Sequence, residues 1–371
     1  MKPRLLLVGR RRYNLPLPPS EQLKFDAMAG ALDVHVLASA ATGSPLRDDM
    51  FTLVPPLRPR LLDGVFFHLS LPFRLRRLLR EFEPDAVLVQ GAHDAASAVI
   101  ARRFSRSRAK VILDVHGDWR TATRLYGSRT RRLLNPFADR IATWAVRHVD
   151  EVRTVSDFTT GMVRELGVEP SATFPAFMDL EPFLIPPAPL PERPVALFVG
   201  ALELYKGLDL LVEAWPHVAD QVPNASLRLI GAGAREDLAR TLVERGPNVT
   251  WESGLAPEEV ADELDAATCL VLPSRREGMG RVVVEAFCRG RAVVGARGGG
   301  IEDLVTHGEN GLLFPSNDAD GLARTLVRVL SNRELASGLG FVAKAGSEEW
   351  FATPEEYAAR VRALVTGDEA R

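Results

Sequence analysis

One stretch of the chain, residues 271–302, constrains the fold more than any other. It reads VLPSRREGMGRVVVEAFCRGRAVVGARGGGIE. An apolar run is followed by a polar loop that ends at Gly280, and an apolar pattern from Val282 to Cys288 then predicts a helix. Gly290 ends that helix, and a short strand at 292–295 leads into three consecutive glycines. This order of strand, loop, helix and strand is typical of a parallel α/β sheet, whose ligands bind at the carboxyl ends of its strands.

The loop in this stretch predicts an anion-binding site. Gly278 and Gly280 allow the backbone to approach a ligand closely, because neither carries a Cβ atom. The helix is expected to begin near Arg281 or Val282, so its free N–H groups and the positive end of its dipole point towards the same ligand. A phosphate or a diphosphate fits this chemistry.

Two carboxylates flank the predicted anion site, Glu277 in the loop and Glu285 in the helix. Carboxylates suit sugar hydroxyls as hydrogen-bond partners, and a diphosphate between hydroxyl-rich groups describes a nucleotide sugar. The alternative interpretation is that Glu277 is a solvated loop residue and Glu285 an ordinary exposed helix residue.

The motif S-x-x-E-G-x-G-x-x-x-x-E-A, followed by G-x-A-V-V and G-G-x-x-E, resembles the motif of retaining GT-B glycosyltransferases of family 4 (glycosyl transferases group 1). The seven residues between the two glutamates are the most specific part of it. The matching positions are Ser274, Glu277, Gly278, Gly280, Glu285, Ala286, Gly290, Val293, Val294, Gly298, Gly299 and Glu302.

The resemblance implies an α/β fold with two doubly wound, Rossmann-like domains that face each other across a cleft. The 371 residues are enough for two such domains. We expect an N-terminal, acceptor-side domain over 1–176 and a C-terminal, nucleotide-sugar donor domain over 195–349. The proline-rich segment 177–194 is the predicted linker, and a C-terminal helix at about 350–367 is implied to pack back on the first domain.

The resemblance also implies roles for individual residues. Lys206 would contact the diphosphate, Glu277 the donor-sugar hydroxyls and Glu285 the ribose hydroxyls. His116, which follows the predicted strand at 111–115, would contact the sugar from the first domain. The catalytic candidates are therefore His116, Lys206 and Glu277, and the donor-binding candidates are Gly9, Gly278, Met279, Gly280, Arg281, Val282 and Glu285.

The chain departs from the family pattern in two places. Ala201 stands where the family generally has an arginine, five residues before Lys206, and Arg275, Arg276 or Arg281 is a candidate replacement. After the first predicted strand, Arg4–Val8, the family often has paired glycines, whereas this chain has Gly9 followed by three arginines.

Two polar side chains, the hydroxyl of Ser156 and the carboxylate of Asp318, are predicted to cap helices. Ser156 lies in the strand-serine-helix segment 150–170, and Asp318 precedes the helical pattern near 320. The sequence Asp318-Ala319-Asp320 superficially resembles a metal motif of other glycosyltransferases, but its place at a helix start favours capping. No metal and no cofactor are expected, and the nucleotide sugar is the substrate.

Charge is distributed unevenly along the chain. Residues 1–190 carry a net charge of +7 and the remainder carries −9. Residues 61–82 combine four arginines with an apolar helical period, so peripheral contact with an anionic inner membrane is one interpretation. A helix packed on the core with a solvated basic face is the other. Nucleic acid is not expected as a partner.

Other signals predict a cytoplasmic protein. The longest apolar runs fall short of the roughly 20 residues that span a bilayer, and residues 1–10 show no signal-peptide cleavage site. Cys269 and Cys288 lie in apolar surroundings and are expected to be buried thiols, as in a reducing compartment.

The sequence as a whole predicts a retaining, metal-independent hexosyltransferase that moves a sugar from a UDP- or GDP-sugar to an acceptor hydroxyl. The acceptor is expected to be lipid-linked or a polysaccharide. Two alternatives stay open: a sugar-nucleotide 2-epimerase of the same fold, and a degenerate nucleotide-binding scaffold in a glycosylation assembly.

Overall fold

Two parallel β-sheets, one in each of two compact units, organise the computed structural model. It describes residues 1–57, 60–120 and 129–368, apart from the side chains of 60–63, 65 and 129–134. Of these residues, 1–57, 60–120, 129–177 and 352–368 form the first unit and 178–351 the second. Both sheets have helical crossovers between parallel strands, which confirms the predicted α/β class.

The sheet of the first unit has the strand order β3-β2-β1-β4-β5-β6-β7. Its strands are β1 Arg4–Tyr13, β2 Asp33–Ala40, β3 Phe51–Val54, β4 Ala86–Gln90, β5 Lys110–Val115, β6 Glu151–Thr154 and β7 Ala172–Thr173. Its first five helices are α1 Pro19–Ala31, α2 Arg60–Glu81, α3 Ala92–Ser105, α4 Arg129–His148 and α5 Asp157–Arg164. Ser156 caps α5 through the backbone N–H of Thr159, as predicted.

The sheet of the second unit has the strand order β10-β9-β8-β11-β12-β13. Its strands are β8 Val195–Val199, β9 Ser226–Ile230, β10 Val249–Glu252, β11 Cys269–Leu272, β12 Ala292–Ala296 and β13 Gly311–Phe314. Its helices are α6 Leu208–Gln221, α7 Glu236–Arg245, α8 Pro257–Asp265, α9 Arg281–Cys288, α10 Ala319–Leu330 and α11 Arg333–Gly346. Asp318 caps α10 by accepting from Gly321 N–H at 2.8 Å, which confirms that prediction.

The last helix, α12 (Pro354–Thr366), belongs to the first unit and packs beside α1. Its apolar side chains, including Tyr357 and Val361, join the core on one face of the first sheet. Helices α2, α3 and α4 cover the opposite face through a second core cluster. Both faces of this parallel sheet are therefore covered, as such sheets require.

The prediction that the first strand ends at Gly9 is wrong. β1 continues to Tyr13, and beyond a register shift Arg12 and Tyr13 pair with the end of β2. Tyr13 is buried against the rings of Phe25 and Phe51, and this packing extends the strand through three exposed arginines. The three arginines therefore lie in a strand and not in a loop.

The predicted linker is more ordered than its proline content indicates. It contains a 3-10 turn at Glu181–Phe183, and the side chain of Phe183 is buried. The buried Arg289 donates to the carbonyl oxygens of Phe183, Ile185 and Pro186. Arg291 donates to Ala188 O at 2.7 Å and Arg333 to Leu190 O at 2.6 Å. Proline has no N–H group, but its carbonyl oxygen and those of its neighbours still accept hydrogen bonds. The arginine hydrogen bonds therefore hold the proline-rich segment against the rest of the second unit.

Both cysteines are buried and form no disulfide, as predicted. In the described part of the chain, no helix is long and apolar enough to cross a bilayer.

Candidate functional site

The loop between β11 and α9 is shaped by contacts with the glycine turn that follows β12. Gly300 N–H donates to Glu277 O at 2.8 Å, and Glu277 forms a parallel bridge with Gly299. A Cβ atom on Gly299 would lie 2.6 Å from Glu277 O, and one on Gly300 would lie 2.3 Å from Gly278 O. The glycines are therefore required because two backbones touch here.

Helix α9 begins at Arg281 with Gly280 as its N-cap residue, which confirms the predicted helix start. Gly280 has a φ of +85°, which favours glycine, and it has no side chain to cap the helix. The first backbone N–H groups of α9 thus form the kind of terminus that accommodates an anion. Arg281 is exposed, Val282 is half-buried and Met279 is buried beside this terminus.

A second loop, between β8 and α6, lies against the first. Gly207 has a φ of +72°, and a Cβ atom on it would lie 2.1 Å from Pro273 O. This close approach brings Lys206, in the 3-10 turn Leu204–Lys206, next to Glu277. The Lys206 Nζ atom donates to Glu277 Oε2 at 2.5 Å, and both side chains are largely buried.

The ion pair stabilises the charged form of Lys206. Burial alone would lower the pKa of the Lys206 ammonium, but the Glu277 carboxylate and Tyr205 outweigh burial and raise that pKa above its usual value. Lys206 consequently presents a permanent positive charge in a poorly solvated place, where electrostatic interactions are stronger than in water.

Arg275 holds the two loops together. Its guanidinium donates to both carboxylate oxygens of Asp209, at 2.9 and 2.5 Å, and to Leu204 O at 2.8 Å. Its Nε atom donates to Asn317 Oδ1 at 2.6 Å, and its backbone N–H donates to Tyr205 O. Because these contacts occupy the guanidinium, the suggestion that Arg275 replaces the arginine missing at Ala201 is not supported. Arg281 is exposed at the start of α9, where it would contact an anion bound at this helix terminus.

Glu285 lies one helical turn beyond Arg281 and is half-buried. Burial raises the pKa of its carboxyl, and the opposing charge of Arg281 only reduces this effect. A half-buried carboxyl without a salt bridge in the described part of the chain is costly, so the alternative of an ordinary exposed helix residue is wrong for Glu285. The alternative of a solvated loop residue is also wrong for Glu277, because its carboxylate is largely buried against Lys206.

In the first unit, His116 follows β5 and is oriented by a buried ion pair. Asp114 Oδ2 lies 2.7 Å from His116 Nε2, and the other carboxylate oxygen accepts from Arg153 Nη1. Arg153 also donates to Phe174 O and Pro175 O at 2.7 Å each. Asp114 and Arg153 are almost fully buried, whereas the His116 side chain is 39% exposed. The Nε2 atom of the imidazole is thus held by Asp114, and part of the ring remains exposed to solvent.

The charge of Asp114 is set by its partners. Burial works to raise the pKa of its carboxyl, but Arg153 and His116 outweigh burial and hold that pKa well below its usual range. The sequence pattern indicated His116 but neither Asp114 nor Arg153. The signal was weak, since an acidic residue inside an apolar strand, Asp114 in VILDV, was the only local hint.

The structure gathers most of the predicted donor residues at one sheet edge of the second unit, where the loops around Lys206 and Glu277 meet the start of α9. His116 and Gly9 belong to the first unit. Gly9 lies in β1 opposite Gln90 of β4, and not in the predicted loop. Within the described residues, no group of three or more His, Cys, Asp or Glu side chains is placed to hold a metal ion. The functional roles of all these residues stay predictions.

Two doubly wound α/β units, the second with a glycine-rich loop before a helix, are typical of the GT-B class of fold. A solved structure supports this at the level of the whole chain. The sucrose-phosphate synthase of Thermosynechococcus elongatus superposes with a TM-score of 0.76 at 19% identity, over 98% of this chain and 100% of that chain.

Sequence comparisons identify the family. Residues 193–332 match the family model described as Glycosyl transferases group 1, and residues 26–181 match the one described as Glycosyltransferase Family 4. The chain therefore belongs to the family 4 type of GT-B glycosyltransferases.

Two curated relatives are similar over different lengths. The chain is 26% identical to the GDP-mannose-dependent alpha-(1-6)-phosphatidylinositol monomannoside mannosyltransferase of Mycobacterium tuberculosis, over 80% of each protein. It is 32% identical to the sulfoquinovosyl transferase SQD2 of Arabidopsis thaliana, over 43% of this chain and 31% of that protein. The chain thus spans about a third of SQD2 but four fifths of the mannosyltransferase.

Proposed function

We propose that this protein is a retaining glycosyltransferase that transfers a hexose from a UDP- or GDP-sugar to the hydroxyl of a lipid-linked or polysaccharide acceptor. The observation that carries the proposal is the buried Lys206–Glu277 pair beside the N-terminus of α9. A positive charge and the first backbone N–H groups of a helix at one place suit a diphosphate, and the adjacent carboxylate suits sugar hydroxyls. The name of the M. tuberculosis relative, a GDP-mannose-dependent enzyme with a phosphatidylinositol-derived acceptor, supports a GDP-sugar and a lipid-linked acceptor.

The chemical difficulty of the reaction is the negative charge that develops on the leaving diphosphate. Lys206 and the first N–H groups of α9 would stabilise this charge, and because both are already in place before the substrate arrives, little reorganisation is needed. Glu277 keeps Lys206 oriented in the free protein, and its second carboxylate oxygen would accept a hydrogen bond from the donor sugar.

Two further residues complete the proposed site. Glu285 would accept hydrogen bonds from the ribose hydroxyls, which would compensate the burial of its carboxyl. His116, held by Asp114, would contact the donor sugar. Each step of this mechanism uses side chains and backbone N–H groups of the chain itself, and we propose that transfer requires no metal ion.

Ala201 leaves the proposed diphosphate site with one cation fewer than the family pattern has. The side chain of Ala201 is exposed, so a longer residue fits there without displacing the core. The missing contact makes the charge on Lys206 more important in this chain, and Arg281 at the start of α9 is the proposed substitute. The curated relatives described above are transferases, which gives no support to an epimerase.

The first test is the melting temperature of the protein with UDP, GDP, ADP and their sugars, with and without EDTA. A ligand that binds only the folded protein stabilises it by mass action, by about 2.7 kcal/mol at a hundredfold excess over Kd. We expect one nucleotide to raise the melting temperature, equally in EDTA. Loss of the shift in EDTA would contradict metal independence, and no shift with any nucleotide would contradict the proposed donor site.

The second test is transfer by the Glu277→Gln variant, measured as glycosylated acceptor formed from the donor identified above. The variant removes the charge that orients Lys206 and weakens the contact with the sugar, so we expect transfer to fall by about 100-fold or more. Glu309→Gln, a change in an exposed turn of the same unit, is the matched control and should keep full activity. Unchanged transfer by Glu277→Gln would contradict the proposed site, and retention at the anomeric carbon is read from the product by NMR.

A further inference from the structure

The outer face of α2 combines apolar side chains with arginines. Leu69 and Phe73 are 68% and 75% exposed, and Phe66 lies on the same face one turn before Leu69. The opposite side of the helix is packed into the core through Phe67, Leu71, Leu75 and Leu79. The helix thus buries one apolar stripe and exposes a second. The predicted helix with one apolar face and one basic face therefore describes it only in part. The helix begins at Arg60 and continues through Pro72 to Glu81.

Two neighbouring helices continue this exposed apolar face. α3 lies between α2 and α4 on one side of the first sheet. Ile100 and Phe104 are exposed on α3 at a spacing of one turn, and Phe137, Ile141 and Trp144 are exposed on α4 at spacings of one turn each. We call the outer face of these three helices the three-helix surface.

The concentration of apolar side chains there is unusual for the molecule. Sixteen large hydrophobic residues are exposed in the described part of the chain, and eight of them lie on the three-helix surface. Single exposed apolar residues need no explanation, but a grouped set with aromatic members marks an interaction site.

The charge of the same surface identifies the partner. Among their described side chains, the three helices carry eight arginines and three carboxylates. One of those carboxylates, Asp94, is buried and not part of the solvent-exposed surface. Arg76, Arg80 and Arg140 are exposed close to the apolar stripes. Aromatic side chains beside cationic ones match the boundary between acyl chains and anionic headgroups of a bilayer.

We propose that the three-helix surface docks this protein on the surface of an anionic lipid bilayer. The apolar stripes would enter the headgroup region, and the arginines would pair with lipid phosphates, each adding about fivefold to binding. The proposal goes beyond the proposed transferase activity and does not depend on it, since all its residues belong to the first unit and the donor candidates of the second unit take no part.

The test is flotation of the full chain with vesicles of phosphatidylcholine alone and of phosphatidylcholine mixed with phosphatidylglycerol. We expect binding to the mixed vesicles only, weakened by salt because surface charges are screened. The triple variant Leu69→Ser, Phe73→Ser, Phe104→Ser should bind at least about tenfold less, and Arg76→Gln with Arg80→Gln should lose binding to the mixed vesicles to a similar extent.

The matched control is Phe341→Ser, which removes an equally exposed phenylalanine, 76% exposed, from the second unit. It should bind vesicles like the wild type. Equal binding to both kinds of vesicle, an unaffected triple variant, or an equal loss with Phe341→Ser would overturn the proposal. A dimer in light scattering that the triple variant makes monomeric would also overturn it, because a second copy would then cover the surface. The nucleotide-induced melting shift of the triple variant, measured alongside, reports separately on the proposed function.

Discussion

Asp114 shows how a single buried charge can determine the placement of a functional side chain. It accepts from Arg153 on one side and contacts His116 on the other. An ion pair this deeply buried adds little stability over apolar residues of the same size, yet removing one partner leaves the other charge uncompensated. The pair is therefore better understood as a device that positions His116 than as a source of stability.

We expect Asp114→Asn to destabilise the first unit by about 3–5 kcal/mol at pH 7, since it leaves Arg153 buried without a counter-charge. The pKa of Asp114 is depressed in the folded protein. Its stabilising effect is consequently present above the unfolded pKa, about 3.9, and is lost as pH falls below it. The measurement is urea unfolding at pH 7 and at decreasing pH, where the gap between wild type and variant should narrow.

The control for this prediction is the double variant Asp114→Leu with Arg153→Met, which removes both charges and should cost less than Asp114→Asn alone. If the single and double variants unfold at the same urea concentration, the ion pair is not the cause of the loss.

Glu285 represents the opposite case, a carboxyl whose pKa is raised by burial. Its ionised form is disfavoured in the folded protein, so its stabilising contribution is present below the unfolded pKa of about 4.3 and is lost as pH rises through the folded pKa. We expect Glu285→Gln to raise the melting temperature at pH 7 and to lower nucleotide affinity by roughly tenfold or more, because an acceptor for the ribose is weakened. Thermal melts with and without nucleotide measure both effects, and Glu244→Gln, exposed on α7, is the control. A variant that binds nucleotide like the wild type would remove Glu285 from the site.

At the scale of single residues, the sequence predicted the members of the motif but not the ion pairs that the functional candidates form. The glycines and the start of α9 followed from local rules, because a loop and a helix terminus have characteristic residues. The Lys206–Glu277 pair joins residues 71 positions apart, and Asp114 and Arg153 are separated by 39. No local pattern contains such contacts, since the order of strands in the sheet decides them.

At the scale of elements, the contact between the two loops of the second unit depends on Arg275. Its bidentate pair with Asp209 and its bond to Leu204 O restrain the turn that carries Lys206. A lysine would keep the charge but cannot reproduce the planar, forked geometry of a guanidinium.

We therefore expect Arg275→Lys to weaken nucleotide binding by about ten- to a hundredfold, equivalent to the roughly 1.5–3 kcal/mol of a hydrogen bond to a charged group. Titration of nucleotide against the intrinsic melting temperature or by calorimetry measures the effect. Arg328→Lys, at an exposed position of α10, is the control and should bind like the wild type. Equal affinities of all three proteins would show that the restraint does not matter for binding.

The strands predicted at 111–115 and 292–295 agree with β5 and β12 to within one residue at each end. The two clear errors have a common cause. Burial of Tyr13 extends β1 through three charged residues, and buried arginines order a segment whose prolines indicated an irregular linker. In both places, tertiary contacts outweigh the local preference of the backbone.

At the scale of the whole molecule, family and fold followed from one motif of the second unit. The first unit supplied no comparable motif, although residues 26–181 match a family model. Its positive charge was visible in the sequence without any indication of where that charge lies. In the fold, much of this positive charge lies on the three helices α2, α3 and α4, beside exposed apolar residues. In the linear sequence those apolar residues appear only as positions that do not fit the helical period. The two halves of opposite charge thus correspond to units with different proposed partners, a membrane for one and a nucleotide for the other.

The three helices contain no lysine at all, and the whole chain has only five, at positions 2, 24, 110, 206 and 344. A guanidinium keeps its proton throughout the range in which proteins are stable, and it is not a substrate for acetylation of amines. The arginines of the three-helix surface would accordingly hold their charge in any cellular compartment and under any acetylation state. Attachment through such a surface would be adjusted from the side of the membrane, by its content of anionic lipid, and not by switching the charge of the protein.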